Sequence, residues 1–221
     1  MGYDKNGNMT SQQQSSIGGP VGDNTNMEVS IGTMQSNPGS ESVAETFSYN
    51  ALNQMTSYQN SNGTNATYTY DATGMRTSKI VNGVEKKFYY DGMYILNEGD
   101  GTDITATNFV GLTGIEGRQN GADEMAYFMK DAHGDVIKAM DSEDFRADYE
   151  YDIWGNQTQA TTNTFDNPFR YCSEYMDEES GLIYLRARYY DPGTGRFTQE
   201  DPVKDGGNWY VYAGNNPIMS W

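Results

Sequence analysis

The sequence predicts an all-β fold built from stacked antiparallel hairpins, and three observations carry that prediction. An aromatic, a spacer, Tyr, then Asp or Asn, recurs as Tyr49-Asn50, Tyr70-Asp71 and Tyr90-Asp91, at intervals of 21 and 20 residues. Such an interval holds two short strands and two turns, which is one hairpin. Glycine is abundant (25) and proline scarce (6), which suits many short strands joined by turns. Finally, 18 Tyr, 8 Phe and 3 Trp must supply most of the apolar burial in a chain only 36% hydrophobic.

Taken in order, Tyr3-Asp4-Lys5-Asn6-Gly7-Asn8 reads as the end of a strand and a tight turn, one repeat unit. Residues 11–45, with Gln12-Gln13-Gln14, Gly18-Gly19-Pro20 and Asn37-Pro38-Gly39, lack periodicity and are expected to be flexible. From Phe47 the frame is regular, and it returns as Lys130-Asp131, Tyr151-Asp152, Tyr171 and Tyr190-Asp191. Tyr68 and Tyr70, or Tyr149 and Tyr151, stand two apart, so each pair shares a face and is expected to stack on its equivalents in the next hairpin. The following Asp or Asn can accept backbone N–H groups two residues on, and the Gly takes the left-handed position that ends the turn. Between Gly92 and Ala126 the frame fails; Glu98-Gly99-Asp100-Gly101-Thr102-Asp103 reads as a solvated acidic turn in preference to a calcium loop. Met125–Asp131, Val136–Asp141 and Phe145–Asp152 read as three further strands.

The C-terminal part is the densest in signal. Leu182 to Tyr190 alternates between two side-chain sets and predicts one strand; Asp191-Pro192-Gly193-Thr194-Gly195 turns it into Arg196-Phe197-Thr198-Gln199, and Asn208–Tyr212 predicts another short strand. Phe169-Arg170-Tyr171, Gly181 to Pro192, Gly195-Arg196-Phe197, Asp201-Pro202, Asn208 to Tyr212 and Asn215-Asn216-Pro217 together resemble the Rhs/YD-repeat family, in its conserved C-terminal core. Many ordered matches over about fifty residues make that resemblance specific. It divides the chain into 1–45, a partial repeat with a flexible segment; 46–168, hairpin repeats; and 169–221, the core segment.

The resemblance implies part of a curved sheet or shell that encloses a C-terminal toxin domain of the same polypeptide, exported or held at a bacterial surface. Its implied partners are that toxin, the upstream repeats and, through the toxin, an immunity protein. The core motif to watch comprises Arg186, Arg188, Tyr190, Asp191, Pro192, Gly195, Arg196, Phe197 and Pro202. In similar proteins the core can act as an aspartyl autoprotease, two carboxylates sharing a proton to activate water. Asp201 is the residue that the resemblance carries over, with Asp205 a nearby second carboxylate. The matching cleavage motif would lie beyond Trp221, so the sequence as it stands is expected not to cut itself. The competing reading is that Asp191 and Asp201 each start an Asp-Pro turn, while Arg186, Arg188 and Arg196 pair with acidic neighbours.

Charge and composition exclude other classes. A net charge of −17 repels nucleic acid and anionic lipid surfaces. No apolar run approaches the roughly 18 residues of a membrane helix. Cys172 is the only cysteine and His133 the only histidine; no disulfide can form within the chain, and neither a His/Cys metal site nor Cys-His catalysis is expected. No cofactor motif appears. The chain is therefore read as non-enzymatic shell wall, with autoproteolysis, or a surface protein whose aromatic strips bind carbohydrate, as the open alternatives.

Overall fold

The computed structural model describes residues 1–14, 43–121, 124–141, 145–162, 165–204 and 207–219. Fourteen strands form one antiparallel sheet in which order along the sheet equals order along the chain. They are β1 (Gly2–Tyr3), β2 (Met9–Gln14), β3 (Val43–Tyr49), β4 (Met55–Asn60), β5 (Asn65–Tyr70), β6 (Arg76–Val81) and β7 (Val84–Asp91). The sheet continues with β8 (Tyr94–Gly99), β9 (Ile104–Gly111), β10 (Gly114–Asn120), β11 (Glu124–Lys130), β12 (Val136–Met140), β13 (Phe145–Tyr151) and β14 (Gln157–Thr162). A second antiparallel sheet of four strands follows: β15 (Tyr175–Asp177), β16 (Leu182–Tyr184), β17 (Tyr189–Asp191) and β18 (Arg196–Phe197). The all-β hairpin architecture is thus as the sequence predicts.

One turn recurs along one edge of the large sheet, and its chemistry is local. The Oδ1 of Asp4, Asn50, Asp71, Asp131 and Asp152 accepts the backbone N–H two residues on and again four residues on. The residue three on carries positive φ: Gly7 (80°), Asn53 (60°), Gly74 (90°), Gly134 (91°) and Gly155 (87°). Each turn is preceded by a register shift, as between Thr69 and Tyr70 opposite Arg76, which twists the hairpin and aims the tyrosine along the sheet.

That aim explains the tyrosine of the repeat. Tyr70, Tyr90 and Tyr151 donate their hydroxyls to the carbonyls of Met55, Arg76 and Val136 at 2.7, 2.8 and 2.9 Å. Each acceptor faces the repeat residue of the previous hairpin, Tyr49, Tyr70 or Lys130. One ring therefore ties successive hairpins where the shift has loosened the ladder.

The expected stacking of aromatics on their equivalents is corrected. Equivalents lie two strand spacings apart, about 9.5 Å, beyond the roughly 4.5–7 Å of ring contact. The rings meet the C-terminal segment instead: Tyr68 with Tyr189 (5.9 Å between centroids), Phe88 with Tyr175 (5.5 Å), Phe128 with Phe169 (6.3 Å) and Tyr151 with Tyr171 (6.2 Å). One continuous buried cluster joins both sheets.

Two more expectations change. Residues 182–190 are two strands, not one: Tyr184 pairs with Tyr189 and Ile183 with Tyr190, across a turn in which Arg186 has φ of 61°. Folding back sends Tyr184 and Tyr189 inward together, 5.3 Å apart. Residues 208–212 form no strand; only Val211 bridges to Arg196, followed by a single helical turn at Ala213–Asn215. Of the segment expected to be flexible, residues 11–14 and 43–45 are paired strand, and 15–42 lie outside the described residues.

The large sheet is strongly curled. In a flat sheet its first and last hairpins would stand roughly 50 Å apart. Yet the adjacent partners Tyr190 and Phe197 bridge them, for Tyr190 donates to the Trp154 carbonyl (2.7 Å) while Met9 N–H donates to that of Thr198 (2.9 Å). Among the described residues no helix is long and apolar enough to cross a membrane.

Candidate functional site

The seam between the curled wall and the C-terminal segment holds the charged groups that the sequence would place at the surface. At its centre Arg76, fully buried, is ion-paired to the equally buried Asp177 and donates to the Tyr189 hydroxyl (3.0 Å). Lys79 reaches Asp177 and Glu179, both at 2.9 Å. Five rings surround the guanidinium: Tyr184 at 4.3 Å, Phe88 at 4.8 Å, Tyr175 at 5.3 Å, Tyr68 at 5.4 Å and Tyr189 at 5.9 Å. Arg76 Nε and Nη2 find no hydrogen-bond acceptor there, and the ring faces take that place. Burial opposes the charge on the Asp177 carboxyl, but Arg76 and Lys79 hold it below its usual range. A second buried node pairs Glu98 with Arg118 (2.7 Å) and Lys86 (2.8 Å), and Arg118 also reaches Asp166 (3.2 Å). Burial works against the Glu98 carboxylate, and the two cations still bring it down to about 2.

These residues escaped the sequence reading, yet a signal was present. In register, Arg76 occupies the place held elsewhere by Met55, Ile95 and Val136, the residues opposite Tyr49, Tyr90 and Lys130. A charge at a position that is apolar in those three hairpins, though polar in the last, where Gln157 faces Tyr151, points to a built-in partner. The acidic stretch 98–103 is also resolved: Glu98 belongs to the Arg118 node and Asp100 Oδ1 caps its own turn through Thr102 and Asp103 N–H.

The core-motif residues divide between packing and pairing. Tyr190 is fully buried and stacks with Tyr212 at 4.0 Å. Asp191 is buried at the start of its turn, accepting from Gly193 N–H (2.9 Å) and Thr194 Oγ1 (2.9 Å), and burial raises its carboxyl. Pro192 lends its carbonyl to Asn156 (3.0 Å), and Gly195, φ 67°, lies against Trp154. Arg186 forks onto Glu174 (2.8 and 2.5 Å), and Arg188 lies over Phe197 (3.6 Å) and 3.4 Å from Asp201. Arg196 is exposed at the rim of a cavity of about 650 Å³. Asp201 accepts from Val203 N–H (2.8 Å) while pairing with Arg188; Pro202 is exposed beside it. Asp205 lies outside the described residues.

His133 and Cys172, unrelated in sequence, meet at the edge of this seam. His133 Nδ1 stands 3.0 Å from Asp135 Oδ1 and 3.7 Å from Cys172 Sγ. The backbone pairing of Val136 N–H with the Arg170 carbonyl brings them together. Burial pushes the Cys172 thiol up to about 12, so it is no nucleophile by itself.

Fold and seam define a class: a hairpin-repeat wall, curled and braced by its own C-terminal segment. The comparisons agree. A family model described as RHS Repeat matches residues 49–84. The chain is 39% identical over 167 residues to the tRNA nuclease WapA of Bacillus subtilis strain 168, covering 70% of this chain and 7% of that protein. It is 48% identical over 56 residues to the toxin protein Tse5 of Pseudomonas aeruginosa, 24% of this chain and 4% of that one. Among solved structures, the Photorhabdus luminescens Tc holotoxin pore superposes with a TM-score of 0.65 at 21% identity, over 80% of this chain and 10% of that one. The TcdB2-TccC3 crystal structure gives 0.63 at 22% identity, over 79% and 10%. The chain belongs to the Rhs/YD-repeat family. It spans about 7% of the length of the WapA relatives that it matches.

Proposed function

We propose that this chain is a piece of shell wall together with the segment that braces it, in a longer polypeptide whose C-terminal toxin domain is the cargo. The observation that carries this reading is the curl: residues 190–198 tie the first hairpin to the last, so the C-terminal segment sets the curvature of the wall. A wall held in a curl by its own chain works by enclosing. The names of the relatives, a nuclease and a toxin among them, support a toxin as the enclosed domain, and an exported or surface location follows from that use, with an immunity protein meeting the toxin rather than the wall.

Asp201 serves this wall as a turn residue that anchors Arg188. Carbohydrate binding fits less well, because the rings with the closest packing are committed inward, against the C-terminal segment. The test uses the full-length polypeptide from which this chain comes. Its C-terminal domain should resist a broad-specificity protease at least tenfold longer than the same domain expressed alone, and lose that protection when Asp177→Asn loosens the seam. Equal digestion rates for the enclosed and the free domain would overturn the proposal.

A further inference from the structure

The meeting of His133, Asp135 and Cys172 has a feature that packing alone does not require. His133 Nε2 lies 2.8 Å from the carbonyl oxygen of Pro217, which can only accept, so Nε2 carries the proton. In the neutral ring Nδ1 is then a lone pair, and it points at a carboxylate oxygen and a sulfur. Three donor atoms of different chemistry converge, all within 4.8 Å of one another. In the metal-free chain the thiol proton can be shared with Nδ1, and a metal cation can take its place among the three donors.

The surroundings match what a ligand set requires. A histidine that binds a metal through one nitrogen commonly gives its other N–H to a backbone carbonyl, the role of Pro217 here. Cys172 N–H donates to Asp135 Oδ1 (2.7 Å) and orients the carboxylate, and Tyr212 places its hydroxyl 3.5 Å from the sulfur. Cys172 and the next residue, Ser173, hold φ of 51° and 57°, with Ser173 Oγ tied to the Gly134 carbonyl (2.8 Å), so the turn bearing the thiol is fastened to the turn bearing the imidazole. Tetrahedral zinc with N, O and S ligands sets neighbouring donors about 3.3–3.6 Å apart; the two pairs that include Nδ1 stand at 3.0 and 3.7 Å, and the carboxylate–sulfur pair lies within 4.8 Å. A cavity of about 500 Å³ reaches His133 and Asp135, beside Tyr171 and Pro217, and gives an entry path to those two donors, while Cys172 lines a separate cavity.

We infer that His133 Nδ1, an Asp135 carboxylate oxygen and Cys172 Sγ form a binding site for a divalent metal of the zinc class. Binding displaces the thiol proton to solvent, forms the metal–sulfur bond and clips the C-terminal segment, through Cys172, to the β11–β12 turn, through His133 and Asp135. Imidazole and thiolate together favour zinc or cobalt over magnesium or calcium.

The experiment titrates this chain, freed of metal, with Co²⁺ and Zn²⁺ alone. One equivalent of Co²⁺ should bring a thiolate-to-cobalt charge-transfer band and strong visible d–d bands, both erased by Zn²⁺. Since Cys172 is the sole cysteine, its alkylation in the unaltered chain should slow at least tenfold with Zn²⁺, and Tm should rise. Cys172→Ser and His133→Gln should each weaken binding at least ~30-fold, with circular dichroism reporting whether they fold. Absence of the charge-transfer band, or alkylation unaffected by Zn²⁺, would overturn the site and leave a proton on Nδ1 as the cation. Those two measurements need no variant, so misfolding of a variant cannot rescue the idea.

Discussion

Asp177→Asn is the sharpest test of how the seam is held. The substitution keeps the shape and one acceptor but removes a fully buried charge that serves both Arg76 and Lys79. Near an effective dielectric of 20, a close ion pair carries about 4 kcal/mol, so two pairs carry about 8 kcal/mol. Part of that is returned, because the carboxylate no longer has to be stripped of water, a term of several kcal/mol. The net loss should be about 3–5 kcal/mol, a large share of the roughly 5–15 kcal/mol that stabilises a domain. Urea unfolding followed by tyrosine and tryptophan fluorescence reads this directly, as a lower midpoint at unchanged slope. Arg76→Met alone should cost a comparable amount by stranding Asp177 with Lys79, and the double variant should cost clearly less than the sum of the two. A loss below about 1 kcal/mol, or strict additivity, would show that the rings and not the ion pair hold the seam.

Two further expectations concern the second node and the turns. Because the Glu98 carboxyl sits at about 2 in the fold against an ordinary 4.5, its contribution is present in full above about pH 5 and is lost as pH falls through 2. The shift corresponds to about 3 kcal/mol, so the stability gap between the native chain and Glu98→Gln should narrow between pH 6 and pH 2.5, and a gap independent of pH would refute the pairing. At the turns, Gly63→Ala meets open space and should cost only about 1 kcal/mol for its positive φ. Gly155→Ala should cost distinctly more, since its Cβ would stand 2.6 Å from Tyr171 Cγ; equal melting temperatures for the two variants would show that Tyr171 moves aside freely.

The hairpin wall was legible because its signals are short in range. A carboxylate or amide capping its own turn at Asn50, Asp71, Asp131 and Asp152, a left-handed residue three on, and side chains alternating on a pleat act within a handful of residues. The core motif was readable for a different reason, as an ordered string of matches. Its geometry was less so: alternation across 182–190 fits a single strand as well as a fold-back, and only the pairing of Tyr184 with Tyr189 over Arg76 selects the latter. Of the three arginines expected to pair with acidic neighbours, Arg186 meets Glu174 and Arg188 meets Asp201, while Arg196 is exposed at a cavity rim.

By itself the sequence determined the repeating hairpins, their order and the turns that cap them, since residues close along the chain supply the hydrogen bonds that those features use; the fold-back within 182–190 was not among them. Tertiary structure decided which charges went inside. Arg76 lies 101 residues from Asp177, and His133 lies 39 from Cys172. Burial of an ion is tolerable only once its counter-ion has arrived, so nothing local to either partner could announce the pair before the C-terminal segment docked across the curled sheet.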